Sequence, residues 1–480
     1  MGALALLGAG AMCLAQAPQF VPSNQATTLL SPFRAIVIDG DPHVTTLGIA
    51  ADAHATLGAL DRVMLRGMPL SDVRRVDLEL RPLDIFTPDA VLIQAGVDGE
   101  QAMPRPRVVL LHGTIAGDPS SRVIMGVTPT GMNGLIESAE GLHIIATGLN
   151  DDPRTVIYHA GELPAERIDL VPFICGTDEL DPHTDGPRPD SGRGAAGAVP
   201  RMLRLAIDCD YEFYQRFASS TDAASAYVAT LIGAVAQIYR NDFNASVRIS
   251  FLRVWATPED PWTEPNAQNQ LAQFRSYWLA NGAGIERKAA HLLTVRQLAG
   301  AGGVAYLGGL CSSFGYGLSG YLNGFFPMPL QSNRPQNWDV MVVAHELGHN
   351  IGAPHTHSMS PVVDSCGLGD CSQAGAGTIM SYCHTCPGGV GNIALTMQDR
   401  VVNERVLPFL NGLSCDMTAP TACFADFNRD TAVDGADLST FLALFGQPVP
   451  PWGPGDTNGD ATVNGSDLSV FLYAFGQMCN

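Results

Sequence analysis

The chain of 480 residues predicts a multidomain protein: a β-rich N-terminal module, a central α/β domain, and a small α module built on paired acidic loops. Three observations carry that expectation. Residues 18–185 alternate short apolar runs with turns rich in Gly, Pro and Asp, the pattern of a mainly β module. Between Met202 and Val295, strand-like runs alternate with one long helical pattern, as in an α/β lobe with a mostly parallel sheet. Beyond Pro420 a segment repeats with a period of 30 residues.

Composition bounds the rest. The length suits about two to four domains, each able to bury a core. Charged residues are only 15% and hydrophobic ones 46%, with 51 Gly and 33 Pro, so the chain is loop-rich without being disordered. A net charge of -20 sets the surface against nucleic acid and anionic membranes, both of which repel acidic proteins. It suits solubility and cation binding instead.

Taken in order, the apolar run Leu4 to Leu14 is followed by Ala15-Gln16-Ala17. The run is too short for a bilayer and its small-x-small ending suits signal peptidase, although the positive start of such signals is missing. Residues 1–17 are therefore expected to direct export and be removed. No later stretch has the 18 or so unbroken apolar residues of a membrane helix, so no transmembrane anchor is expected in the mature chain. Eleven cysteines, most of them beyond residue 300, agree with an oxidising, extracellular location.

Within residues 18–185, Arg107 to His112 and Leu142 to Thr147 read as strands. His43, His54, His112, His143 and His159 are scattered without ligand spacing and read as surface or hydrogen-bonded residues. The module ends at Cys175-Gly176-Thr177, and a polar, Pro- and Gly-rich stretch follows. Residues 186–200 are expected to be an exposed linker open to proteolysis.

From Met202 the texture changes. Met202 to Ile207 reads as a strand, and Asp208 to Phe217 leads into a helix. Thr221-Asp222 is a cap signal for a helix with Ala223, Tyr227, Leu231, Ala234, Val235 and Ile238 at helical spacing. Val247 to Trp255 and Ala289 to Val295 read as strands. Gly302 to Cys311 is an apolar strand flanked by glycines. Gly303, Val304 and Ala305 let a peptide backbone approach and pair there, or else belong to an ordinary core strand.

Asn337 is the expected cap of the next helix, whose buried stripe is Val340, Val343, Ala344, Leu347 and Ile351. That helix carries His345-Glu-Leu-Gly-His349-Asn-Ile-Gly352-Ala-Pro-His355. Histidines four apart share a helix face, so both imidazoles can reach one ion. Gly352 can take the positive φ that ends a helix and lets His355 supply a third nitrogen. Three protein ligands leave one position open, the ligand count of a catalytic zinc. Glu346 can reach a water at that position without being a ligand. The pattern H-E-x-x-H-x-x-G-x-x-H is the metzincin signature, and the methionine turn expected with it is present as Gly377-Thr-Ile-Met380-Ser-Tyr382. Cys175 then has two readings: a thiolate able to take the open zinc position until the linker is cut, or an ordinary buried thiol. Cys366, Cys371, Cys383 and Cys386 surround the methionine turn; in an exported chain disulfides outweigh a second zinc.

Residues from about 202 to 415 resemble a reprolysin-like (M12B-type) metzincin peptidase, on the strength of the zinc helix, the methionine turn and Gly303-Val-Ala-Tyr306. The resemblance implies a zincin-like α/β catalytic domain over 201–416 with one Zn2+ on His345, His349 and His355. It makes Glu346 the general base and Met380 the hydrophobic floor beneath the ion. The implied function is a secreted metalloendopeptidase that hydrolyses proteins or peptides by a zinc-activated water. Two positions depart from the family. Thr356 and His357 stand where reprolysins usually have Asp, and Tyr382 looks more like the tyrosine of astacins and serralysins. Tyr382 either stabilises an oxyanion through its hydroxyl or packs in the core. Cys175-Gly-Thr resembles the cysteine switch of reprolysin and ADAM-type propeptides, which would make 18–185 the propeptide of a zymogen. The resemblance also pairs Cys311 with Cys415 and the four turn cysteines among themselves, leaving Cys209 odd.

In the tail, Asp426, Asn428, Asp430, Asp434 and Asp437 recur as Asp456, Asn458, Asp460, Asn464 and Asp467. Oxygen side chains at loop positions 1, 3, 5, 9 and 12 surround a hard cation, so two Ca2+ are expected. Short helices, Leu438 to Phe445 and Leu468 to Phe475, follow the loops. Asp at position 12, no glycine at position 6 and one helix per loop resemble a dockerin type I repeat. Residues 421–480 would then be a dockerin-like module, bracketed by Cys423 and Cys479, that tethers the enzyme to a cohesin-like or cell-surface scaffold. The competing function is a non-catalytic surface or adhesion protein that keeps the metzincin fold for binding.

Overall fold

A computed structural model describes residues 27–36, 41–149, 152–164, 167–168, 174–177, 180, 199–330, 338–449, 453–458 and 460–479. The expected export signal, most of the linker and Asn337 lie outside the described residues. Among the described residues no helix is long and apolar enough to cross a membrane.

The N-terminal region builds a ten-stranded sheet. It is antiparallel apart from one edge pair, Thr27–Leu30 on Val63–Pro69. Successive side chains point to opposite faces of a strand, and here both faces are covered. Leu110, Ile124, Ile144 and Val156 enter the main core, whereas their neighbours Leu111, Met125, Ile145 and Ile157 form a second core on the other side. That is why runs such as Leu142 to Ala146 are continuously apolar rather than alternating. His112 and His143 prove to be buried, and burial pushes both imidazoles down to about 4, so they are neutral core residues.

The second sheet has seven strands: β1 (Phe86–Gly96), β2 (Gly99–Ala102), β3 (Arg201–Cys209), β4 (Ala245–Trp255), β5 (Ala289–Leu293), β6 (Gly303–Ala305) and β7 (Tyr316–Ser319). Their order is β6-β7-β5-β3-β4-β1-β2. Strands β3, β4, β5 and β7 run parallel, and β6 closes one edge antiparallel to β7. Helices α1 (Thr221–Phe243) and α3 (Asp339–Asn350) share the main core with Leu205, Ile207 and Leu252. Helix α2 (Ala267–Asn281) packs Leu271, Phe274 and Trp278 against Ala206, Phe251 and Leu292, side chains of the opposite face. Ser220, one residue before the expected cap, starts α1 by accepting a hydrogen bond from the Ala223 N–H at 3.2 Å.

Residues 18–185 do not form a self-contained module. The hairpin β1–β2 leaves the first sheet, and β1 pairs in parallel with β4, setting Val91 opposite Phe251 and Leu92 opposite Leu252. Leu92 is buried in the main core, and ion pairs Arg204–Asp89 and Arg253–Glu100 flank the pairing at 2.5 and 2.8 Å. The N-terminal region thus covers an edge of the α/β sheet that would otherwise present unpaired backbone.

In the tail, α4 (Gly435–Leu444) and α5 (Gly465–Ala474) start three residues earlier than expected. Asp434 and Asn464 cap them through reciprocal bonds with Asp437 and Asp467. Phe427, Phe441 and Phe471 stack between them at 5.7–6.4 Å, and a Cys423–Cys479 disulfide closes the module.

Because Leu92 belongs to the common core, Leu92→Ala is expected to destabilise the precursor by about 2–5 kcal/mol. Urea unfolding followed by tryptophan fluorescence should shift as one transition. A separate early transition confined to the N-terminal residues would count against a shared sheet.

Candidate metal centre

Helix α3 has no solvent face: all 12 of its residues are buried. Trp338 occupies the N-cap position and makes no side-chain capping bond. Tertiary bonds fix it instead. The Asp339 carboxylate accepts from the Tyr227 hydroxyl at 2.7 Å and from the N–H groups of Asn323 and Gly324 at 3.1 and 3.0 Å. The Tyr239 hydroxyl donates to the Ala344 carbonyl at 2.7 Å, and Asn350 Nδ2 to the carbonyls of Tyr306 and Tyr316 at 2.9 and 3.0 Å.

On this mount the three imidazoles converge. His345 Nε2 lies 3.2 Å from His349 Nε2 and 3.1 Å from His355 Nε2. Gly352, at φ +89°, turns the chain back toward the helix, and a Cβ there would press on the Phe409 ring. Nδ1 of His345 and of His349 lie 2.8 and 2.7 Å from the carbonyls of Ile379 and Ala353. Donation to those carbonyls fixes the tautomer and leaves each Nε2 lone pair free. Tetrahedral zinc with bonds of 2.0–2.1 Å needs nitrogens about 3.3 Å apart, close to the spacing present. Burial, then the neighbouring His349 and His355, hold His345 well below the usual histidine range, in the neutral form a metal requires.

Glu346 is fully buried, and its Oε1 has no hydrogen-bond partner among the described residues. Burial pushes its carboxyl well above the ordinary range. A Cβ at Gly303 would overlap that carboxyl, so the first residue of β6 makes room for Glu346. The glycine read as admitting a peptide, or as part of a core strand, thus also leaves space for the Glu346 carboxyl.

Cys175 comes to the same point. Its Sγ is 3.4 Å from His349 Nε2, 3.5 Å from Glu346 Oε2 and 3.1 Å from Thr177 Oγ1. Ligand atoms of Cys175, His345, His349 and His355 all lie within 4.8 Å of one another. Burial and the nearby Glu346 push the thiol well above its ordinary range. The flanking backbone lies parallel to β6: Gly302 N–H donates to Ile174 O at 2.8 Å, and Gly176 N–H to Gly303 O at 2.9 Å. Thr177 extends this contact through its hydroxyl to Ala305 O at 2.9 Å.

Met380 is fully buried beneath α3, its sulfur close to Gly348. Thr356 ties the third histidine to this turn, donating to Met380 O from its N–H at 3.0 Å and its hydroxyl at 3.2 Å. His357 stacks on His355 at 5.0 Å. These contacts replace whatever an Asp would make after the third histidine. The Tyr382 hydroxyl sits 3.4 Å from His355 Nε2 and accepts from the Cys175 N–H at 3.1 Å. Disulfides Cys366–Cys383 and Cys371–Cys386 brace the turn, Cys311–Cys415 ties the end of the domain back, and Cys175 and Cys209 are free. No second cysteine metal site is therefore formed by the turn cysteines.

In the tail, carboxylates of Asp426, Asp430 and Asp437 gather within 4.8 Å, as do those of Asp456, Asp460 and Asp467. Asp434 stands outside the first group, because its oxygens cap α4 and meet Arg81. Asn464 Oδ1 is taken by the Ser466 N–H at 2.8 Å. The position-9 side chains expected as ligands thus serve the otherwise unpaired N–H groups of their helices. Asn428 and Asn458 each accept from the N–H of the aspartate two residues on, at 3.0 and 2.9 Å.

Comparison with known proteins agrees with this geometry. Residues 199–393 match the Reprolysin_5 model, metallo-peptidase family M12. The snake venom metalloproteinase trimerelysin-2 of Protobothrops flavoviridis is 25% identical over 188 residues, which is 38% of this chain and 87% of that protein. Among solved structures, metalloproteinase-II from Bacteroides fragilis aligns with 11% identity and a TM-score of 0.37, over 70% of this chain and 90% of that one. The family match and the venom relative thus mark residues 199–393 as similar to reprolysin-like M12 metallopeptidase domains.

Proposed function

We propose that this chain is an exported zinc endopeptidase made as a latent precursor and carrying a calcium-binding anchoring tail. The observation that carries the reading is the trio of Nε2 atoms 3.1–3.2 Å apart beside a buried carboxyl with an unpaired oxygen. His345, His349 and His355 would hold zinc, which supplies Lewis-acid activation of water and of the scissile carbonyl. The remaining work falls to this chain's own residues. Glu346 takes the proton from the attacking water and returns it to the leaving amine. Its burial keeps the proton it accepts inside the site between the two steps. The Tyr382 hydroxyl, beside His355, donates to the oxygen that gains charge. Gly303, Val304 and Ala305 pair with the substrate backbone along the sheet edge.

Latency follows from the same contacts. Residues 174–177 occupy the edge that a substrate would pair with, and Cys175 points its sulfur at the imidazoles. Loss of this segment, after cleavage in the 186–200 linker, opens both the edge and the fourth ligand position. Four disulfides support an oxidising destination. The two carboxylate groups of the tail support Ca2+ binding, and the dockerin-like pattern supports a cohesin-like or cell-surface scaffold as the anchoring partner.

Glu346→Gln in the processed enzyme should keep its zinc, measured by mass spectrometry, and lose about 10²–10⁴-fold in casein hydrolysis. Retained turnover would remove Glu346 as the base. Gly303→Ala should lower kcat with zinc content unchanged, because the new methyl displaces the carboxyl; a wild-type rate would mean that Glu346 tolerates displacement. Cys175→Ala should raise the activity of the uncleaved precursor, and a variant as silent as wild type would leave the thiol as an ordinary core residue.

A further inference from the structure

The two tail repeats match in sequence but not in surroundings. Asp426, position 1 of the first repeat, pairs with Arg240 of α1 at 2.5 Å, their side chains only 0% and 2% exposed. Arg81, on the N-terminal strand Arg75–Pro82, reaches Asp430 at 3.1 Å and Asp434 at 3.0 Å. Arg62 lies 3.5 Å from Asp434. The loop's own Arg429 donates to the Asn241 carbonyl near the end of α1 at 2.5 Å, and Thr431 Oγ1 meets buried His112 Nε2 at 2.9 Å. The first repeat is therefore clamped between the N-terminal sheet and the α/β domain. In the second repeat, Asp460 and Asp467 make no ion pair among the described residues. They bond near neighbours instead: Asn458, Thr462 and Asn464 for Asp460, and Thr457 and Asn464 for Asp467.

A guanidinium and a dication brought to the same carboxylates compete for them. The lone pairs are shared out, and two cations at contact distance repel through the buried medium between them. We propose that the first repeat is an internal dock held by Arg81 and Arg240, and that Ca2+ competes with these arginines for Asp426 and Asp430. Filling the first loop then releases the tail from the body, whereas the second loop fills with the tail still docked. This rests on the reading of the acidic loops as calcium sites. Calcium would thereby act on the tail in two stages, first ordering the outer loop and then freeing the module to meet its anchor.

The test uses the full chain with CaCl2 as titrant, calorimetry for binding and hydrogen exchange for docking. Two steps are expected, the second about tenfold or more weaker because most molecules are docked. Asp460→Ala should abolish the tight step alone. Exchange in the strand Arg75–Pro82 and at the end of α1 should rise only with the weak step. Arg81→Met should strengthen the weak step, and the wild-type exchange profile decides the matter should that variant fold poorly. Two steps of equal affinity, a first loop that never fills, or filling without a rise in exchange would each overturn the dock while leaving the second loop a calcium site. Absence of binding at both loops would remove the calcium reading itself.

Discussion

The structure depends on holding three imidazoles together beside a carboxyl inside a buried core. Nothing local to α3 achieves this, since the helix lacks a side-chain cap and has no polar face. Its position comes from tertiary hydrogen bonds at both ends and from the two carbonyls that orient His345 and His349. An unpaired buried polar atom costs about 1–3 kcal/mol, so the lone Oε1 of Glu346 is tolerated only because the surrounding fold fixes it. The same restraint makes the site ready for a reaction: the groups need not reorganise when a substrate arrives.

The N-terminal region meets this constraint from three directions. One face of its sheet packs on α1, its hairpin extends the α/β sheet beside β4, and residues 174–177 lie along β6 with Cys175 against His349. Support of the fold and cover of the site are therefore properties of one continuous stretch of chain. Proteolysis in the linker would cut the covalent tie without undoing the β1–β4 pairing.

What could be read from the sequence was whatever local spacing encodes. The histidine pattern, Gly352 and Met380 have fixed offsets, and the structure brings the expected side chains to one point. The tail repeat had the same kind of periodic signal, whereas the Cys311–Cys415 disulfide was expected from the family resemblance and not from spacing. Non-local pairing was not readable. Nothing in Phe86 to Gly96 distinguishes a strand of the first sheet from one of the second, because the choice lies in a partner at Ala245–Trp255. Arg81 and Arg240 look like any surface arginine until their carboxylate partners are known. Asp434 and Asn464 sit at ligand offsets that coincide with helix caps, so the same side chains also meet the backbone's need for partners.

The parallel pairing of β1 with β4 also bears on biosynthesis. Residues of β1 leave the ribosome long before their partner is translated, so Val91, Leu92 and Ile93 wait as an apolar ribbon with no neighbour on one side. Long-range parallel pairs close slowly and leave such ribbons open to misassembly. Until Ala245–Trp255 has been made, this ribbon is the part of the nascent chain most open to wrong pairing.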